Sequence, residues 1–156
     1  MRQRGFSLIE LLIVVAVILV IAAIAIPSLL SARIAANESA AVQETRSIST
    51  AEVAYLSTYG PGYAASLMDL SDSAGPTSSR TNAGLIDSVL ATGMKSGYVY
   101  NYLPLLPDSN GSYTSYSINT NPRTAGITGR RYFFTDQSAV IHANSSAVAS
   151  ATDPPL

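Results

Sequence analysis

One carboxylate, Glu10, stands inside an apolar run that extends from Phe6 to Ile26. An acid in a dry helical bundle needs a cation, because its desolvation is repaid only by close pairing. No Lys or Arg occurs between Gly5 and Arg33, so the cation must come from a chain terminus or another molecule. Cleavage after Gly5 would create one, an α-amine on Phe6, four residues from Glu10. The bland alternative is a simple membrane anchor in which Glu10 snorkels toward the headgroups near the helix end.

The run is long enough to cross a bilayer core as a helix. Arg2 and Arg4 flank it on the short N-terminal side, which the positive-inside rule keeps in the cytoplasm, with the rest of the chain on the far side. A secretory signal would be cut after its apolar part, at a small-residue site. No Ala-x-Ala closes this one; Pro27-Ser28-Leu29-Leu30 follows, and the small residue, Gly5, lies before the run.

The basic leader, Gly5, Phe6, Glu10, the apolar helix and Pro27 together closely resemble the N-terminus of type IV pilins and type II secretion pseudopilins. The resemblance implies several things. A prepilin peptidase of the inner membrane cleaves between Gly5 and Phe6 and N-methylates Phe6. The mature chains then form a helical homo-oligomeric filament, with Glu10 facing the Phe6 amine of a neighbour and with pilus or type II secretion assembly machinery and minor pilins as further partners. The precursor would be a single-pass inner-membrane protein and the product a pilus on the cell surface, for adhesion, twitching motility or DNA uptake. The alternative is a periplasmic pseudopilin of a type II secretion system. Two departures stand out. Position 19 is Leu where many relatives carry a glycine that helps the helix melt on assembly, and cysteine is absent, so the C-terminal disulfide of many pilins has no counterpart.

Other candidate chemistry is sparse. His142 is the one histidine and has no evident orienting partner for base catalysis. Gly60-Pro-Gly-Tyr-Ala-Ala65 spells a dinucleotide fingerprint but follows a helix, and Pro61 removes a donor. Asp69 and Asp72 read as solvated carboxylates. A calcium site of the kind found in the major pseudopilin would need a compact oxygen cluster; Asp108 and Asp136 are far apart in sequence, with Asn110, Asn119 and Asn121 as neutral helpers, and a turn at 108–111 is the simpler reading. Tyr98, Tyr100, Tyr102 and Tyr116 suit strands better than an electron path. Asn110-Gly-Ser112 and Asn144-Ser-Ser146 spell glycosylation acceptors, a triplet that chance supplies freely. The expectation is therefore a structural protein with no catalytic residues, no metal site and no cofactor.

The chain carries 9 Lys+Arg and 10 Asp+Glu, and loss of Arg2 and Arg4 would leave seven against ten, with no face basic enough for nucleic acid. After Leu29 the pattern turns amphipathic: Leu30, Ile34, Val42, Ile48, Ala51, Tyr55 and Tyr59 mark an apolar stripe, with Arg33, Glu38, Glu44, Arg46 and Glu52 between them. One helix from Phe6 to Tyr59, roughly 80 Å long at the standard rise, is the economical reading, kinked or unwound at Pro27 and ended by Gly60-Pro61-Gly62. The remainder suits a single domain.

The expected fold class is α+β, the type IV pilin fold, with this helix packed on a four-stranded antiparallel sheet. The divisions are a leader at 1–5, a membrane and polymerisation helix at 6–27, an amphipathic half at 28–60, a connecting region at 61–97, the sheet at 98–143 and a mobile tail at 144–156. In the connecting region, 66–70 reads as a helical turn and 83–91 as a short helix capped by Asn82. Strands are expected at Tyr98–Leu103, Tyr113–Asn119, Arg130–Thr135 and Ala139–His142, the last two a hairpin around 136–138. Their buried face should hold Ile118, one of Phe133 and Phe134, and one of Val140 and Ile141.

Overall fold

The computed structural model describes residues 6–72, 77–107 and 112–156, and the chain divides into two compact units, Met1–Arg33 and Ile34–Leu156. Helix α1, Leu8–Tyr59, supplies the described helical part of the first unit and the first element of the second. It continues through Pro27 with no unwound turn, although proline has no N–H for the carbonyl one turn back. Gly60, at φ +94°, ends it in the left-handed region.

In the second unit, a 3₁₀ turn at Leu67–Leu70 and a short helix α2 at Ser88–Ala91 precede the strands β1 Met94–Lys95, β2 Tyr98–Pro107, β3 Tyr113–Pro122, β4 Tyr132–Asp136 and β5 His142–Asn144. They form an antiparallel meander in the order β1-β2-β3-β4-β5. The α+β class holds, with five strands instead of four. The extra one, β1, is two residues long and pairs with Tyr98 and Val99 across a turn at Ser96 and Gly97, too short for a period-2 pattern to reveal.

Register puts the core residues in rows across the sheet. Tyr102 opposes Ile118, which opposes Thr135; Tyr100 opposes Thr120, which opposes Phe133. With Tyr98 and Tyr116 these residues form the inner face, whose apolar members pack in one cluster with Ala41, Ile48, Ala51 and Tyr55 of α1. Ile118 and Phe133 are completely buried, and of the 140–141 pair it is Ile141 that goes inside while Val140 stays exposed. At the contact between helix and sheet, the Thr45 and Thr120 hydroxyls meet at 2.9 Å and Thr45 Oγ1 donates on to Ala41 O, so the polar groups of a dry place are paired.

Four details depart from expectation. The α1 stripe is not purely apolar: Glu38 and Glu52 are buried while Leu30 is exposed. The helix foreseen at 83–91 shrinks to Ser88–Ala91, capped by Asp87, whose Oδ1 accepts from the Leu90 amide at 3.0 Å, and not by Asn82. Gly84 lies at φ +70°, outside the right-handed helix, and residues 83–86 instead bond to Asp69, Leu70 and Ser71. The last strand begins at His142 and not Ala139, because Ala139 sits at φ +58° and extends the turn. Finally, the tail is laid back on β5, with the Ala143 amide bonded to Pro154 O, the Leu156 amide to Ile141 O, Asn119 Nδ2 to Ala149 O, and Ala149 itself buried.

Candidate functional site

Helix α1 starts with Ser7 in the N-cap place. The Leu11 amide reaches Ser7 O at 3.3 Å, and the Ser7 amide donates to Glu10 Oε2 at 2.9 Å. Ser7 and Glu10 thus form the backward half of a capping box, with the N3 carboxylate reaching back to the N-cap amide. A carboxylate here also meets the positive end of the helix dipole. Ser-x-x-Glu is legible in the sequence, yet Glu10 reads first as a misplaced charge. Folded back onto the residue next to Phe6, its carboxylate lies at the chain end that processing would create.

Around Glu10 none of the described residues of its own unit supplies cover. Phe6 is 85% exposed and Ile24 74%, and from residue 6 to residue 33 only Ala22 is even half-buried. The shallow groove of about 430 Å³ along Leu8, Leu11, Leu12, Val15, Ala16 and Leu19 is a surface between side chains of one helix, not an enclosed pocket. This helix is long and apolar enough to cross a membrane. Gly5 lies outside the described residues. Pro27 is exposed and inside the helix, 17 positions beyond Glu10.

In the second unit the polar groups are spent on holding the fold. Glu38 accepts from the Arg130 amide at 2.8 Å, the Arg131 amide at 3.3 Å and Arg131 Nε at 2.8 Å. Burial alone would raise its carboxyl, but these donors outweigh it and hold the group below the usual carboxylate range. Glu44 takes the Tyr100 hydroxyl and Ser96 Oγ, with Lys95 Nζ 3.5 Å away; Lys95 also pairs with Asp87 at 2.8 Å. Both glutamates thereby tie a loop of the sheet to α1.

The remaining candidates separate along the same lines. Asp136 Oδ1 accepts from the Ser138 amide in a turn, Asn119 holds the tail, and Asp108 and Asn110 lie outside the described residues. Among the described residues no three His, Cys, Asp or Glu side chains are grouped to hold a metal. The Asn144 amide group is engaged on both sides, its Nδ2 bonded to Asp153 Oδ1 and its Oδ1 to the Ser146 and Ala147 amides. His142 Nδ1 faces Asp153 O at 2.5 Å, half-buried beside Phe134. Tyr102 and Tyr116 stack at 5.7 Å and Tyr63 meets Tyr116 edge-on at 4.9 Å, but the tyrosine hydroxyls work as struts: Tyr98 to Arg131 O, Tyr55 to Arg80 O, Tyr102 to Ala64 O. Asp69 caps its own turn by accepting from the Ser66 amide at 3.0 Å. The 60–65 glycine run leaves the C-terminal end of a helix, where carbonyls and not amides face outward, so it offers no cradle for phosphate.

Residues 1–26 match the prokaryotic N-terminal methylation motif, which marks type IV prepilin-like proteins. No curated protein and no solved structure matches the chain.

Proposed function

We propose that this chain is the structural subunit of a type IV pilus, cleaved between Gly5 and Phe6, N-methylated on Phe6, and polymerised through the helix at 6–27. The observation that carries the reading is Glu10, the one ionisable side chain from Phe6 to Ala32, fixed at the start of an uncovered apolar helix inside the methylation motif. Such a helix is stable in two settings, a bilayer or a bundle of its own kind. Lipid covers the precursor; neighbouring subunits cover the mature chain. In the bundle, apolar packing gives little axial register, while a Glu10 carboxylate paired with a neighbour's Phe6 amine fixes it directionally. A head-to-tail contact repeated without closure gives an open helical filament.

Mass spectrometry of sheared filaments tests the reading. The expected chain begins at N-methyl-Phe6 and lacks residues 1–5, and a bulky substitution of Gly5 leaves uncleaved precursor in the membrane. Assembled material retaining Met1 overturns it. Thermal unfolding with and without a calcium chelator separates the pilus from the secretion pseudopilus: no change is expected, and a drop of many degrees moves the assignment to the latter.

A further inference from the structure

Glu52 is the one acid of the second unit that the fold buries completely, at 0% exposure, and leaves without a cation among the described residues. Its Oε2 accepts from the Ala64 amide at 3.0 Å, and its Oε1 has no partner. Ala64 is itself fully buried, just beyond the turn that ends α1, and its carbonyl accepts the Tyr102 hydroxyl at 2.8 Å. Both backbone groups of Ala64 are therefore held, one by the helix and one by β2.

No described group around the carboxyl carries a positive charge to pair with it, and the Ala64 amide is the donor it holds. From the 3₁₀ turn comes the field of Asp69, a second carboxylate; from β2 comes Tyr102, from β3 Tyr116 and from α1 itself Tyr55. The nearest guanidinium named by these contacts, Arg80, points to Tyr59 O and Pro61 O on the exposed side of the turn. An unpartnered oxygen in a dry site is costly as an anion and cheap as a hydroxyl with an acceptor near it. Tyr102, whose own proton is committed to Ala64 O, offers its oxygen as that acceptor.

We propose that Glu52 sits in the folded second unit as the neutral acid and serves as a proton-operated latch fastening the 60–66 turn to α1 and β2. With the proton on Oε1, the Glu52 acid, the Tyr102 hydroxyl and the two backbone groups of Ala64 close one ring of hydrogen bonds. Loss of the proton leaves a buried anion with no counter-charge, and the least costly relief is to open the turn and admit water. Burial pushes the carboxyl up to about 7 against the pull of the Ala64 amide. A carboxyl raised on folding makes the folded state bind more protons than the unfolded one. Its contribution is complete below the usual carboxylate range, declines as pH rises, and is gone above about 7.

The test uses the full-length chain in neutral detergent micelles, followed by tyrosine near-ultraviolet circular dichroism, since all nine tyrosines lie in the second unit. Between pH 5 and 7 the folding constant of the wild type should fall by up to about tenfold per pH unit. Glu52→Gln should be flat across that window and more stable than the wild type at pH 8, where hydrogen exchange of the 60–66 segment should be fast only in the wild type. Tyr102→Phe should weaken protection of that segment at pH 5. Parallel profiles for wild type and Glu52→Gln, or a Gln variant less stable at pH 8, overturn the latch. Should the Gln variant fail to fold, infrared spectroscopy of the wild type decides: a protonated carboxyl band that disappears between pH 5 and 8 supports the proposal, and its absence at pH 5 overturns it.

Discussion

The two units are held together by opposite means. In the described part of Met1–Arg33 the helix is held by its own backbone ladder, interrupted only at Pro27, and nearly every described side chain is left outside, so covering them depends on what surrounds the helix. In Ile34–Leu156 the same helix continues with a face buried against a sheet, and even its acids are absorbed into the packing. A change in the first unit should therefore be felt between molecules, and a change in the second within one. On the proposed function, one chain thus separates polymerisation from folding.

The sharpest test of that separation is Glu10→Gln. A filament made of these helices would bury an unpaired Phe6 amine at every joint, which costs about 3–5 kcal/mol and lowers subunit affinity more than a hundredfold. Pilus yield by shearing and electron microscopy should collapse, while immunoblots show normal cleavage and membrane levels. A wild-type yield would return Glu10 to an interface-facing or purely capping role, the latter contributing only about 1 kcal/mol to one helix end.

Next in size is a matched pair of truncations. Phe133→Ala, at a completely buried position beside Tyr98, should cost about 3–5 kcal/mol and lower the unfolding temperature of the monomer in detergent. Ile18→Ala, at a position 57% exposed, should leave that temperature unchanged and reduce only filament stability. Equal effects on the monomer would break the comparison.

The smallest of the three effects concerns Glu38, the acid that joins α1 to the loop before β4. Loss of its charge-assisted bonds in Glu38→Gln should cost about 1–3 kcal/mol. Because its carboxyl is held low in the folded state, this contribution is present above the usual carboxylate range and lost as pH falls through the depressed value. Acid titration of the Tm should show the wild type losing stability more steeply than the Gln variant at the acid end, the reverse of the slope expected from Glu52 near neutrality.

The described part of the first unit is readable from the sequence as one apolar helix, since a membrane-length apolar run is a local signal, whereas the junction at Gly5 lies outside the described residues. The sheet is readable in its main strands because Tyr98–Leu103 alternates with the pleat and Tyr113–Asn119 is a strand-forming run between turn signals. The short helix comes out too long from its pattern because Gly84 leaves the helical region, and the tail looks loose because its composition says nothing of Pro154 and Leu156 finding the edge of β5. The pattern also puts Glu38 and Glu52 on the solvent side of α1, where charge normally belongs.

What the sequence by itself determined is what its own neighbours along the chain enforce: the apolar span, the capping of its start by Glu10, the helix end at Gly60 and the alternation of the strands. Only the tertiary structure decided which of three glutamates is ion-paired, which is buried without a counter-charge and which joins the Lys95 cluster, because that depends on what a sheet from the far end of the chain brings opposite each turn of α1. Arg131 reaches Glu38, Lys95 and Tyr100 reach Glu44, and Glu52 meets an amide, tyrosines and the field of another acid. The same side chain in the same helix has three electrostatic fates, since solvation and counter-charge are properties of the fold and not of the residue.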